Sequence, residues 1–360
     1  AGHEVIILAP GSAASVEERD GGRIVTLPAR RFPLDRRYHY FVDEASLHMM
    51  LTRLQPDLVE ASSPWSSAAM VGRWPGKAPR ALIMHADPLS AYAYRWFGSV
   101  ATREMIDRSF DWYWRHLRRL DSVFDIIVSA SDSLSRRLRG GGLARVETMP
   151  MGVEPDIFSP ARRSPALRGR LLERCGLPPH AALLIGVGRH APEKRWPQVI
   201  DAVTAAGYRH PVGLVIVGDG RDSARVRRAA AHNPHIHLLA PTRDRAFLAD
   251  LLASADALVH GCEAETFCMV AAEARASGLP LIVPDEGGAS DQIEPGAGLH
   301  YSAGQAGSLA QALEHFLLAD PAAYRRRAVR AAGSVLTMDD HFSRLFDAYA
   351  RFGEAQSHAA

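Results

Sequence analysis

The sequence predicts an α/β protein made of two doubly wound halves, each a parallel sheet with helices on both faces, set around a cleft. Three observations carry this. Short apolar runs alternate with helix-length spacers along most of the 360 residues, and runs apolar on both faces are what covered parallel strands look like. The runs fall into two series. Between them, MPMGVEPDIFSPARRSP (149–165) concentrates Pro and Gly and loses periodicity, as a hinge does.

The first series places strands at Val5–Leu8, Ile24–Leu27, Leu58–Glu60, Ala81–Met84 and Ile126–Ser129. The second places them at Leu183–Val187, Gly213–Val217, Ile236–Leu239, Ala257–Val259 and Leu281–Val283. Two series imply two halves, 1–156 and 157–336, with a closing segment 337–353. That segment carries Phe342, Leu345, Phe346 and Tyr349 at i, i+3, i+4, i+7. Such a helical apolar stripe must dock, and the first half is the expected place. The opening AGHEVIILAPG reads as the end of a helix-to-strand connection whose strand and helix are expected to be missing from this sequence.

Composition narrows the classes. A net charge of +2 gives no electrostatic footprint for nucleic acid. No apolar run approaches the roughly 20 residues of a membrane-spanning helix, and no signal peptide is visible. Cys175, Cys262 and Cys268 make no disulfide framework and no metal-ligand spacing, so a cytoplasmic location is expected. No D-x-D occurs, so no metal site for a diphosphate is expected. Of 42 basic residues only Lys77 and Lys194 are lysines.

Within LLIGVGRHAPEKR (183–195), GVGRHA fits the dinucleotide fingerprint G-x-G-x-x-G/A. Its context does not fit. Pro192 and Pro197 delay the helix to about Trp196, and no acidic residue stands at the distance a ribose needs. What remains is a strand ending at Gly188 and a loop with Arg189 and Lys194 at the carboxyl edge of the sheet. A planar fork and a point charge together suit a pyrophosphate; a solvated surface loop is the plainer reading.

The second constellation is VHGCEAETFCMVAAEARASG (259–278). A strand ends at Val259, Glu263 and Glu265 follow in a loop, and a helix is expected from about Phe267 to Ser277, closed by Gly278 and Pro280. Glu265 and Glu273 are eight residues apart, roughly 12 Å at helical rise, the scale of a nucleotide sugar. Amides of Phe267, Cys268, Met269 and Val270 at the helix start would meet the diphosphate. Glu265 would take sugar hydroxyls and Glu273 ribose hydroxyls, or Glu273 is simply a paired helical residue.

GVGRHAPEKR, IVGDG and ETFCMVAAEARASGLPLIV resemble the donor half of family 4 glycosyltransferases, retaining enzymes of the GT-B fold, with two Rossmann-like domains facing a cleft. GHEVIILAPG, IMHADP, ASDSLSRRLRGGG and MPMGVEPDIFSP resemble that family's N-terminal domain and hinge. The resemblance implies that Arg189 and Lys194 hold the diphosphate, Glu273 the ribose and Glu265 the transferred sugar. It also places His85 beside the sugar and acceptor, with Asp87 as a candidate to orient it. Cys268 stands where the family usually has Gly. The donor implied is GDP-mannose or UDP-glucose as co-substrate, with no cofactor, and the acceptor a lipid or glycan.

Acceptor identity belongs to the first half. Residues 92–120 hold three of the six tryptophans and six arginines. They suit either a peripheral contact with an anionic membrane surface or a core helix with arginines at its rim. The basic, aromatic stretch 28–41 is a candidate acceptor loop.

Overall fold

The computed structural model describes residues 2–33, 38–98 and 100–357. In the first half, β1 (Val5–Gly11), β2 (Ser15–Arg19) and β3 (Gly22–Pro28) form a small sheet in the order β1-β3-β2. β3 runs parallel to β1 and antiparallel to β2. β4 (Arg30–Arg31) and β5 (His39–Tyr40) make a short antiparallel ribbon. Residues 34–37 of the stretch 28–41 lie outside the described residues. β6 (Val59–Ala61), β7 (Arg80–Met84), β8 (Ile126–Ser129) and β9 (Val146–Thr148) form a four-stranded parallel sheet in chain order.

The second half carries β10 (Ala182–Val187), β11 (Val212–Val217), β12 (Ile236–Leu239), β13 (Ala257–Val259), β14 (Leu281–Pro284) and β15 (Gly298–Tyr301). They form one parallel sheet ordered β12-β11-β10-β13-β14-β15. Strand order reverses between β10 and β13, which pair through Leu184–Ala257 and Ile185–Leu258. At such a switch point the two strands' loops diverge and leave a crevice at their carboxyl ends. The loops diverging here are 188–195 and 260–268.

The first half departs from a single parallel sheet. β2, β9, β15 and the ribbon were not expected, for physical reasons. Ser15–Arg19 is exposed along its whole length and carries no apolar face to signal a strand. β9 and β15 are short edge strands, paired on one side only.

Each half has its own packed interior, the second on both faces of its sheet. The hinge crosses the chain's return path: Val153 pairs with Thr337, its N–H donating to Leu336 O (2.8 Å) and its carbonyl accepting from Met338 N (2.9 Å). Gly152 is required there, because a Cβ would stand 1.9 Å from Thr337 O. The closing helix Met338–Ser357 then lies on the four-stranded sheet, with Leu345 and Ala348 packed against Ala81, Ile126, Val128 and Met149. Tyr349 Oη donates to Glu60 (2.7 Å) and Arg351 to Glu147 (2.7 Å). Among the described residues no helix is long and apolar enough to cross a membrane.

Candidate active site at the sheet switch point

The first loop is shaped by Trp196. Its indole is almost wholly buried and fills the space a side chain at Gly186 would take, since a Cβ there would stand 2.5 Å from the ring. Trp196 Nε1 donates to Arg189 O (3.0 Å), pinning the loop. A single 3₁₀ turn, Pro192–Lys194, and a left-handed Arg195 (φ 50°) then turn the chain into the helix Trp196–Gly207. Gly186 of GVGRHA thus serves packing. Gly218, from the neighbouring strand, makes the same point: a Cβ would lie 2.0 Å from Gly188 O.

This turn sends Lys194 inward and leaves Arg189 outside. Lys194 Nζ is bonded to Glu265 in a largely buried setting, whereas the Arg189 side chain is 79% exposed and leans on Glu193 (3.4 Å). The two cations expected to act together are therefore separated in this state. Only Lys194 is preorganised.

Glu265 is the centre of the cluster. Besides Lys194 it faces His260 Nε2 at 3.2 Å. An ionised carboxylate can only accept, so that nitrogen carries the proton. His260 is fully buried and its backbone carbonyl accepts from Tyr301 Oη (3.0 Å). Burial opposes ionisation of Glu265, but the bond from His260 and the charges of Lys194 and His260 outweigh it, pulling the carboxyl down to about 2. For Lys194 burial is likewise the opposing cause, and Glu265 wins, raising the ammonium. The pair stays charged at neutral pH.

The loop enters its helix later than expected, at Met269, and the helix Met269–Ala276 ends as Gly278 (φ 65°) turns the chain. Glu265 therefore stands four residues ahead of the helix, and helical rise does not set its distance to Glu273. Phe267 lies in the approach, its carbonyl accepting from Gln292 Nε2 (3.2 Å). Cys268 is the N-cap residue at φ 72°, without a side-chain cap. That conformation costs a non-glycine residue on the order of 1–2 kcal/mol, and it explains why glycine is the natural occupant. Cys268 Sγ reaches His260 Nε2 (3.6 Å) and is pushed well up by burial, so the thiol stays neutral. The amides of Met269 and Val270 begin the helix, before any i−4 partner is available.

Glu273, buried on the same helix, accepts from Arg245 Nη2 (2.6 Å). Burial pushes its carboxyl up and Arg245 holds it back. Arg245 also binds Glu154 of the hinge and lies over the Phe158 ring (5.0 Å). Neither Arg245 nor His260 was among the residues expected from sequence. Each acts through a carboxylate that was. Glu263, left as a loop carboxylate, is bound by Arg195.

Across the cleft, His85 follows β7 and is exposed, and its carbonyl accepts from Thr266 Oγ1 (3.0 Å). His85 thus meets Thr266, the residue after Glu265 in the chain. Asp87 does not orient it. Asp87 is buried and accepts from Leu89 N (3.0 Å), Ser90 Oγ (2.6 Å) and Arg137. Arg137, raised by Asp87 despite its burial, also reaches Asp107 (3.2 Å) and the Tyr94 ring (4.8 Å). The halves are joined by Arg103–Glu286 and by Asp291, which accepts from both Ser133 N and Ser133 Oγ (2.7 Å each) at the start of the helix Asp132–Gly140. Between these contacts lies a cavity of about 1030 Å³, lined by Asp107, Arg137, Glu265, Thr266 and Gly287 among others. It has room for a nucleotide sugar.

One cation arrangement is chemically possible and disfavoured. His260, Glu265 and Cys268 each place a ligand atom within 4.8 Å of the others. The Lys194 ammonium already occupies that carboxylate. A divalent ion would face a fixed positive charge at close range.

Comparisons with known proteins place the chain in a family. Residues 1–157 match the family described as Glycosyltransferase Family 4, and residues 172–334 match Glycosyl transferases group 1. A GDP-mannose-dependent alpha-mannosyltransferase of Mycobacterium tuberculosis is 34% identical over 82% of this chain and 74% of its own length. A GDP-mannose-dependent alpha-(1-6)-phosphatidylinositol dimannoside mannosyltransferase of the same organism is 28% identical over 93% and 84%. Among solved structures, sucrose-phosphate synthase from Thermosynechococcus elongatus superposes with a TM-score of 0.71 at 18% identity, covering 98% of this chain and 89% of that one. The chain belongs to glycosyltransferase family 4, group 1, and is a GT-B hexosyltransferase that takes its sugar from a nucleotide donor.

Proposed function

We propose that the protein moves mannose from GDP-mannose, with UDP-glucose as the alternative donor, to a hydroxyl of a lipid or glycan. The reaction retains anomeric configuration and uses no metal and no cofactor. The observation that carries this reading is the buried Lys194–Glu265–His260 cluster beside the start of the helix Met269–Ala276, at the switch point of the sheet.

Each group has a task. The diphosphate sits over the free amides of Met269 and Val270, where the helix dipole favours an anion. Lys194 shares its ammonium between Glu265 and the phosphate oxygens, and Arg189 swings in from solvent to complete the clamp. Glu273, with one oxygen on Arg245, keeps the other for the ribose hydroxyls. Glu265, fixed by His260, accepts from hydroxyls of the transferred hexose. His85 borders the sugar on the acceptor side.

As the C–O bond to the diphosphate breaks, negative charge grows on the leaving phosphate, and positive charge already in place lowers the barrier. The acceptor hydroxyl attacks from the face the diphosphate leaves, its proton passing to the departing phosphate oxygen. The interdomain contacts of Asp291 and Thr266 close the cleft against water. The enzyme works in the cytoplasm, peripherally at the inner face of the membrane. Thermal-shift titration with GDP-, UDP- and ADP-sugars tests the donor: stabilisation by GDP-mannose supports the reading, and stabilisation by ADP-sugars alone overturns it.

A further inference from the structure

The strand Leu281–Pro284 empties into a connection, residues 285–293, that lies between the Glu265 loop and the first half of the chain. Its two glycines permit close approach. A Cβ at Gly287 would stand 2.2 Å from Glu263 O, and one at Gly288 2.5 Å from Phe267 N. At that range Gly288 N donates to Glu265 O (2.6 Å). The connection then makes one 3₁₀ turn, Ser290–Gln292.

Two adjacent side chains of this turn face different partners. Asp291 reaches out to the first half, accepting from Ser133 N and Ser133 Oγ (2.7 Å each), with Arg136 at 3.5 Å. Gln292 turns inward and is only 5% exposed. Its Nε2 donates to Phe267 O (3.2 Å), and its Oε1 accepts from Arg275 Nη1 (3.1 Å), which Glu294 anchors in turn. The connection thus holds the carbonyls of Glu265 and Phe267, on either side of Thr266. Thr266 is the residue whose hydroxyl donates to His85 O across the cleft.

A 3₁₀ turn is tightly wound, and neighbouring residues in it do not shift independently. Here Gln292 N donates to Ala289 O (3.2 Å), Ile293 N to Ser290 O (3.3 Å), and Ala289 is fully buried. Docking Asp291 on Ser133 therefore fixes Gln292 as well. We propose that Gln292 is a positioning residue that couples closure of the cleft to recognition of the transferred hexose. With Asp291 docked, Gln292 and Gly288 hold the backbone around Thr266 and aim the Glu265 carboxylate at the sugar. With the halves apart, that aim is lost. Lys194 and His260 hold the carboxylate itself in either state, so closure adds backbone placement. The sugar is then gripped firmly when the acceptor half is in place, which favours transfer over hydrolysis. The proposal rests on the reading above that Glu265 takes hexose hydroxyls.

Calorimetric titration of the full chain with GDP and with GDP-mannose tests it. Gln292→Glu keeps a partner for Arg275 and nearly the same volume, but an ionised carboxylate cannot donate to Phe267 O. It should weaken GDP-mannose about fivefold, the scale of one hydrogen bond, and leave GDP unchanged. Gln292→Met, uncharged and of similar volume, should do the same. Asp291→Ala should also weaken GDP-mannose about fivefold. The variant Asp291→Ala/Gln292→Glu should still lose about fivefold rather than about 25-fold, because both changes break one chain of contacts. Losses that multiply in the double variant, or equal weakening of GDP and GDP-mannose, overturn the coupling. Glu265→Gln checks the underlying reading and should lower the GDP-mannose to GDP affinity ratio at least as far. A ratio unmoved by Glu265→Gln removes that reading and the proposal together. A ratio that falls there, with multiplying losses in the double variant, removes the coupling alone.

Discussion

Replacing Lys194 with alanine removes the ammonium that balances Glu265 in a setting where both side chains are mostly buried, 16% and 21% exposed. Breaking a buried ion pair from one side costs about 3–5 kcal/mol, because the abandoned charge stays buried. His260 still donates to Glu265, so the lower end applies, about 3 kcal/mol, or roughly 6–12 °C in Tm for a domain of this size. The catalytic loss should be larger. One preorganised positive group facing a developing anion is worth about 10²–10³ in kcat. Transfer can be followed as GDP release from GDP-mannose in the presence of acceptor, with Tm read alongside. Adding Glu265→Gln to Lys194→Ala should restore much of the stability, since no charge is left unpaired, and none of the turnover. The sign with pH follows. Glu265 in the folded wild type lies at about 2 against an ordinary 4.5. Its contribution to stability is therefore complete above about pH 4.5 and is lost as pH falls towards 2. In Lys194→Ala the folded carboxyl rises back towards its ordinary value, so Glu265 contributes less above about pH 4.5 and less is lost as pH falls. Near-normal turnover in Lys194→Ala, with the fold intact, would refute the reasoning.

Other outcomes follow from the same geometry. His260→Ala should raise the acid limb of the pH–rate profile and weaken sugar recognition, while binding of GDP without sugar is retained; His260→Gln, which keeps a donor near the carboxylate, should recover part of the rate. Glu273→Gln should raise KM for the donor about tenfold, the scale of one hydrogen bond to a charged group. Arg245→Ala, measured the same way, should act in the same direction through Glu273. Asp291→Ala removes the bonds from Ser133 N, Ser133 Oγ and Arg136 across the cleft, so small-angle scattering should show a more open molecule and transfer should give way to a larger share of donor hydrolysis.

Much of this site could be read along the chain, and the reasons are local. Lys194 stood out as a lysine in an arginine-rich sequence, and Pro192 and Pro197 fixed where its helix could start. Glu265 and Glu273 were visible because strand, loop and helix follow each other without interruption. What escaped depends on contacts between distant segments. Arg245 is 28 residues from Glu273 and meets it only in the folded sheet. His260 looks like the last residue of an ordinary strand; its importance appears when the chain turns Glu265 back onto it. Asp87 shows the opposite error. Its nearness to His85 in sequence suggested a partner, but Arg137, 50 residues away, competes for the same oxygen as a full charge and takes it. Arg189 was paired with Lys194 by sequence proximity, and the 3₁₀ turn between them points the two side chains apart.

The central claim is hexosyl transfer with retention through charge supplied by the protein alone. Incubation of the enzyme with GDP-mannose and a lipid acceptor in excess EDTA, with the product examined by NMR, tests it directly. The account predicts an α-linked mannosyl product formed at an undiminished rate. A β-linked product, a rate that collapses on chelation and returns with a divalent metal, or a donor isomerised without transfer would contradict it.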